Sequence, residues 1–268
     1  MQTPNHQQRL AALRDTIAQI ERKPALAEAR QRVEAEGDVF PVLPPGLMQE
    51  VFADATRDGG ASLAFALAQA QSLLTPKRPV IFYLQMADDA QSLGVPYGPG
   101  LNWFGIDHAN LVIVRTNDMS ELLWAMEEVL SCRAVAATVA DIRGSPKLLN
   151  FTASRRLSMR ASSNRVSLFM LRYGPRQDSS ASQLRWRLVP QRSGKNPYDD
   201  RAPGAARWRL RLEKGRIAGQ RSEWLLEWTK NGLSVFSSPA AGSASSYKPT
   251  PVSGALSSLL GNRLSEAS

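Results

Sequence analysis

The sequence predicts an α/β fold in which a mostly parallel central sheet is flanked by helices, with a leading N-terminal helix and a trailing C-terminal antiparallel extension. Three observations carry this. Between residues 47 and 174, strand-like and helix-like segments alternate with short connections, the pattern of successive βαβ units. Two of the strands, PVIFYLQ (79–85) and LVIVRT (111–116), are runs of apolar residues, as strands buried on both faces are. After residue 174 the segments alternate polar and apolar, which suits half-exposed antiparallel strands.

The elements follow in order. QQRLAALRDTIAQIE places Leu10, Leu13, Ile17 and Ile20 at helical spacing, one apolar stripe on a charged helix. FPVLPPGLM (40–48) is proline-rich and links this helical segment (1–39) to an α/β domain (40–230). LMQEVFA (47–53) reads as a strand and SLAFALAQAQSLL (62–74) as a helix of small residues. After PVIFYLQ, PGLNWFGI (99–106) makes a short helical turn before LVIVRT. DMSELLWAMEEVLSC (118–132) reads as a helix, with Asp118 as N-cap and Glu121 completing the form of a capping box. AVAATVADI (134–142) is a strand, PKLLNFTASRRLSMRAS (146–162) a helix and NRVSLFMLRYG (164–174) a strand. SQLRWRLVP (182–190), ARWRLRLEK (206–214) and SEWLLEWT (222–229) are the antiparallel extension. Residues 231–268, rich in Ser, Ala and Pro, are expected to be a disordered tail. That tail carries a short cluster, Leu256, Leu259, Leu260 and Leu264, of the kind found in linear docking motifs.

Composition narrows the chemistry. One cysteine, Cys132, excludes an intrachain disulfide and a Cys-based zinc cage, and two histidines, His6 and His108, argue against a His-rich metal site. Cys132 reads as a packing residue and His108 as a surface or capping residue. No apolar run is long enough to span a membrane and no secretory signal opens the chain, so a cytoplasmic protein is expected. The net charge of +9 is concentrated: residues 155–221 hold 17 Lys/Arg against four acids. Such a segment suits a polyanion, an acidic protein surface or a solvated sheet face.

The stretch EVFADATRDGGASLAFALAQ (50–69) has the strand–loop–helix form of a phosphate loop. That loop needs G-x-x-x-x-G-K-[ST], so that backbone N–H groups and a lysine meet phosphate oxygens. Here the stretch Ala53, Asp54, Arg57, Asp58, Gly59, Gly60, Ala61, Ser62 contains no lysine, and its two aspartates would repel phosphate. The loop is degenerate, and no cofactor is expected.

The layout resembles that of RecA-type recombinases over roughly residues 40–230, through GLMQEVFA, YGPGLNWFGIDHANLVIVR and ARWRLRLEKGRIAGQRSEWLLEW in that order. A closer resemblance is to the ImuA family, carried by YGPGLNWFGID (97–107), RTNDMSELLWAMEEVLSC (115–132), FTASRRLSM (151–159), LRWRL (184–188) and RWRLRLEKGRIAGQRSEWLLEW (207–228). That resemblance implies a RecA-like core and an accessory role in error-prone translesion synthesis during the DNA-damage (SOS) response, with ImuB and RecA as partners. It also implies nucleoid association during DNA damage. A RecA-type ATPase would further need a carboxylate after PVIFYLQ, where this chain has Gln85 and Met86, with Asp88 and Asp89 following in an expected loop. It would need an aspartate closing AVAATVADI, for which Asp141 is the candidate, and a polar sensor where Leu171 and Arg172 stand. With the lysine and glutamate missing, the resemblance implies a protein that is not an enzyme. SulA, which binds FtsZ to stop division, also looks like a RecA-type core without a phosphate loop and gives the alternative reading, as does a diverged RecA-type ATPase.

Binding is then expected from two places. The stripe Leu10, Leu13, Ile17 and Ile20 could fold onto its own core or dock on a neighbouring subunit, giving self-association. In the extension, Arg185, Arg187, Arg207, Arg209, Arg211, Lys214, Arg216 and Arg221 interleave with Trp186 and Trp208, Arg outward and Trp inward. Arg with Trp suits a protein partner or a weak contact to single-stranded DNA.

Overall fold

The computed structural model describes residues 40–175, 178–199, 201–215, 217, 222–230 and 232–236. The stripe at Leu10, Leu13, Ile17 and Ile20, the basic residues Arg216 and Arg221, and the leucine cluster at 256–264 lie outside them. The elements are β1 (Met48–Ala53), α1 (Gly59–Gln71), β2 (Val80–Met86), α2 (Ala87–Leu93), α3 (Gly98–Trp103), β3 (Leu111–Thr116), α4 (Met119–Val129), β4 (Val135–Asp141), α5 (Phe151–Asn164), β5 (Ser167–Tyr173), β6 (Leu184–Gln191), β7 (Arg207–Lys214), β8 (Glu223–Thr229) and β9 (Gly232–Val235). They form an α/β structure around one sheet, ordered β3-β2-β4-β5-β1-β6-β7-β8-β9. The first six strands pair in parallel and the last three antiparallel.

Two apolar layers sandwich the sheet. On one face α1 lies on Val51, Val139, Phe169 and Leu171, and the layer runs on under β6–β8 through Trp186, Trp208, Trp224 and Trp228. The small residues of α1 let it approach closely: Ala66, Ala68 and Ala70 are all buried. Phe40 seals this layer, its ring centroid 5.7–6.1 Å from those of Phe65, Trp186 and Trp224. On the other face, α4 and α5 cover Leu84, Ala140, Leu168 and Met170.

Local signals explain where the helices begin. The Asp118 carboxylate accepts the Glu121 backbone N–H at 2.9 Å, capping α4. Glu121 reaches back one residue further than a capping box requires, accepting the Asn117 N–H at 2.8 Å. The expected helix at 146–162 starts only at Phe151, because Asn150 accepts the Ala153 N–H and so sets the boundary. It ends at Arg165, whose φ of 55° is left-handed. At its end, Gly46 (φ +94°) lets the chain entering β1 pass close by: a Cβ there would sit 3.2 Å from the Ala161 carbonyl oxygen.

The structure departs from five expectations. LVIVRT is not buried: β3 is an edge strand with one partner, and Val112 and Ile113 are exposed. SQLRWRLVP is antiparallel only to β7, since β6 also pairs in parallel with β1. Asp88 and Asp89 sit in helix α2, not in a loop. Cys132 is exposed rather than packed. The sheet also continues through β9, inside the stretch expected to be tail.

Candidate functional site

In open α/β sheets ligands bind outside the carboxyl ends of the parallel strands. Here the ends of β1, β2, β4 and β5 surround such a place. β1 stops at Ala53, and Asp54 and Ala55 lead through a 3₁₀ turn (Thr56–Asp58) into α1. The strand–loop–helix form read over residues 50–69 is present. A crevice of about 450 Å³ opens there, lined by Asp54, Ala55, Thr56, Asp89, Arg143, Gly144, Tyr173 and Gly174.

The groups around it are turned on one another. Asp141, at the end of β4, is buried, and its two carboxylate oxygens accept the hydroxyls of Tyr83 at 2.9 Å and Tyr173 at 2.8 Å. Burial pushes the Asp141 carboxyl above the ordinary carboxylate range, with the two tyrosine hydrogen bonds opposing. Burial, then the Asp141 charge, raises both tyrosines, so they remain donors. Tyr173 also crowds the start of α1: a Cβ on Gly59 would lie 3.0 Å from its hydroxyl. A larger residue there would require the Tyr173 ring to shift by a few tenths of an ångström. Nearby, Arg143 meets Asp89 at 3.3 Å, while the second Asp89 oxygen and the buried Gln85 side-chain amide oxygen have no hydrogen-bond partner among the described residues. Two carboxylates against one cation, itself engaged, make a poor receptor for phosphate. Among the described residues, no group of three or more His, Cys, Asp or Glu is arranged to hold a metal ion. Arg172, near the end of β5, is buried and gives its guanidinium to Glu50, Asp178 and the Gly144 carbonyl.

The second candidate region is the face of β6–β8 opposite the tryptophans. The alternation holds: Trp186 and Trp208 are buried in the core, so neither offers surface to a partner, and the Trp186 indole donates to Gln49 at 2.8 Å. The arginines point the other way, into carboxylates. Glu50, buried on β1, accepts from Arg185 at 2.8 Å and from the Ser180 and Ser182 hydroxyls at 2.6 and 2.8 Å. Arg187 contacts Asp54 at 3.2 Å and Glu213 at 3.3 Å. Arg211 pairs with Glu213, Arg207 with Glu227 and, more loosely at 3.7 Å, Arg209 with Glu223. The guanidiniums of Arg172, Arg185 and Arg187 all lie within 5.7 Å of the Phe52 ring centroid. Lys214 donates to the Ser180 carbonyl at 2.6 Å. The Arg185 and Arg187 side chains are only 11% and 12% exposed, so the β6 part of the expected basic surface, two of its eight cations, is internal.

A third region was not singled out from the sequence. Trp124 and Leu148 are exposed in the lining of a groove between α4 and α5, and Phe151 and Met159 are exposed elsewhere on α5. Its signal was present, since Trp124 falls off the buried stripe Met119, Leu122, Leu123, Met126 and Val129.

No family model matches the chain. It is 33% identical over 202 residues to Protein ImuA of Caulobacter vibrioides (strain NA1000 / CB15N), covering 71% of this chain and 78% of that one. The figures are the same for Protein ImuA of Caulobacter vibrioides strain ATCC 19089 / CIP 103742 / CB 15. The fold and its crevice define an α/β protein whose strand–loop–helix turn lacks the lysine of a phosphate loop. The chain belongs to the ImuA family. Among the described residues no helix is long and apolar enough to cross a membrane.

Proposed function

We propose that the chain is a non-enzymatic adaptor of error-prone translesion synthesis in the DNA-damage response, built on a RecA-like core, with ImuB and RecA as its partners. One observation carries the non-enzymatic part. The place where a nucleotide phosphate would sit has no lysine, presents Asp54 and Asp58, and has the Tyr173 hydroxyl against the first glycine of α1. The aspartate best placed to order a metal's water shell, Asp141, has both oxygens committed to tyrosines. A strand order with β1 between β5 and β6, and α1 directly after β1, supports the RecA-like reading. The translesion role and the partners rest on family membership. The protein works in the cytoplasm and joins the nucleoid when DNA is damaged.

Two measurements test this. Titration calorimetry with ATP and magnesium should give no heat of binding up to millimolar nucleotide, and a stoichiometric isotherm would remove the reading. Affinity capture of the tagged chain from DNA-damaged cells should recover ImuB and RecA. Recovery of FtsZ in their place would move the role to division control.

A further inference from the structure

The two ends of the sheet differ in what they leave unpaired. β9 closes one end with four residues, and its Leu233 and Val235 already pack against the α1 layer. β3 closes the other with LVIVRT, paired without interruption to β2 on one side and, among the described residues, to no strand on the other. Such an edge presents a row of free backbone N–H and C=O groups. Alternation along β3 sends Leu111 and Ile113 to the α1 face and Val112 and Val114 to the α4 face, and Leu111 and Val114 pack against those two layers. Val112 and Ile113, one on each face, are each left 39% exposed. Edges are ordinarily blunted by proline, a bulge or several charges. β3 has no proline and no shift of register against β2, and Arg115 is its one charge.

These features fix what covers the edge. Free backbone groups call for an extended strand, since a helix has none to return. Apolar side chains on both faces call for a strand that is apolar on both. β9 fails this, with Gly232 and Ser234 on the face opposite Leu233 and Val235. β3 itself meets it. Two copies related by a two-fold axis perpendicular to the sheet run antiparallel where they join, and that axis keeps both α1 layers on one side. Opposed residues must then share a face, so the axis falls on a residue. Placed at Ile113, it sets Ile113 against its own copy and Val112 against Val114, β-branched pairs of the kind that stabilise antiparallel strands. The two Arg115 side chains then stand four residues apart along the ribbon, about 14 Å. An axis at Val114 would bring them about twice as close.

We propose that the chain forms a two-fold dimer through β3, joining two nine-stranded sheets across antiparallel β3 strands. This surface is separate from the apolar stripe of residues 10–20, and the adaptor reading neither requires nor supplies it. Sedimentation equilibrium of the full chain, up to about 100 μM, should show a mass that rises with concentration from one chain to two. Ile113→Lys places two like charges at the axis and should weaken the dimer at least about tenfold. Thermal melts confirm that each variant folds. In a Cys132→Ser background, Ile113→Cys sets two thiols directly opposite one another, at a separation a disulfide can bridge. It should cross-link on oxidation with copper phenanthroline, whereas Arg115→Cys, whose two copies stand apart, should not. A wild-type mass that stays at one chain throughout, a dimer that Ile113→Lys leaves intact, or cross-linking no better with Ile113→Cys than with Arg115→Cys each overturns the proposal. Any of these leaves the adaptor reading standing, since that reading is decided by the capture of ImuB and RecA.

Discussion

The arginines of β6 and β7 and those of α5 come from the same basic stretch of sequence, yet they meet different surroundings. On the strands, Arg185, Arg187, Arg207 and Arg211 each lie within 3.3 Å of a carboxylate. Those carboxylates are Glu50 from β1, Glu213 from β7 itself and Glu227 from β8, and Asp54 joins from the degenerate loop. On α5, Arg156 and Arg160 share one carboxylate, Glu127 of α4, and Arg155 is exposed with no such partner among the described residues. Density of positive charge along the chain is therefore not positive potential in space. The strand arginines are taken up by carboxylates of the sheet and its loop, and of the three α5 arginines two meet Glu127 while Arg155 is left facing outward.

Variants can break this contrast, and the largest effect is expected at Glu50. Glu50→Ala leaves Arg185 and Arg172 without their buried counter-charge, and removal of one member of a buried pair costs about 3–5 kcal/mol. Denaturant unfolding should show it; a loss below about 1 kcal/mol would mean that water already reaches the pair.

Next come the tyrosines of the crevice. Tyr83→Phe and Tyr173→Phe each remove a donor to a buried carboxylate, and each should cost about 1–3 kcal/mol by the same measurement. Neither should create ATP binding, because the loop still lacks its lysine.

Asp141 sharpens the comparison through pH. Burial raises its folded pKa above the ordinary 3.8, so ionising it opposes folding. Relative to Asp141→Asn, the wild-type chain should lose stability as pH rises from 3.8 through the raised folded value, then hold a constant difference above it. The step is about 1.4 kcal/mol for each unit by which the folded value is raised. A difference that grows in the acid direction would show that the tyrosine hydrogen bonds outweigh burial.

The smallest effects are expected at the exposed charges. Arg211→Ala should change stability by about 0–1 kcal/mol, as exposed pairs do. For single-stranded DNA, a face engaging six free phosphate sites would give a log–log salt slope of about −4. With Arg207, Arg209 and Arg211 already near carboxylates, a much shallower slope is expected from filter binding across a salt series.

The sequence by itself determined the elements and their kinds. Periodicity and caps depend on neighbours a few residues apart, so Asp118 announced α4, alternation announced Trp186 and Trp208 inside, and the missing lysine announced a degenerate loop. What it left open were properties set by residues distant in the chain. β3 looked buried because it is apolar, and only the strand order makes it an edge. β6 looked antiparallel because it alternates, and only its register beside β1 makes it parallel to that strand. Asp141 read as a lone strand-end aspartate until Tyr83 and Tyr173 arrived from two other strands. Arg185 lost its free charge because Glu50, 135 residues before it, was folded against it. Local propensity acts over one or two turns, whereas ion pairing, burial and edge position are decided by which strands the tertiary fold makes neighbours, and so belong to the structure alone.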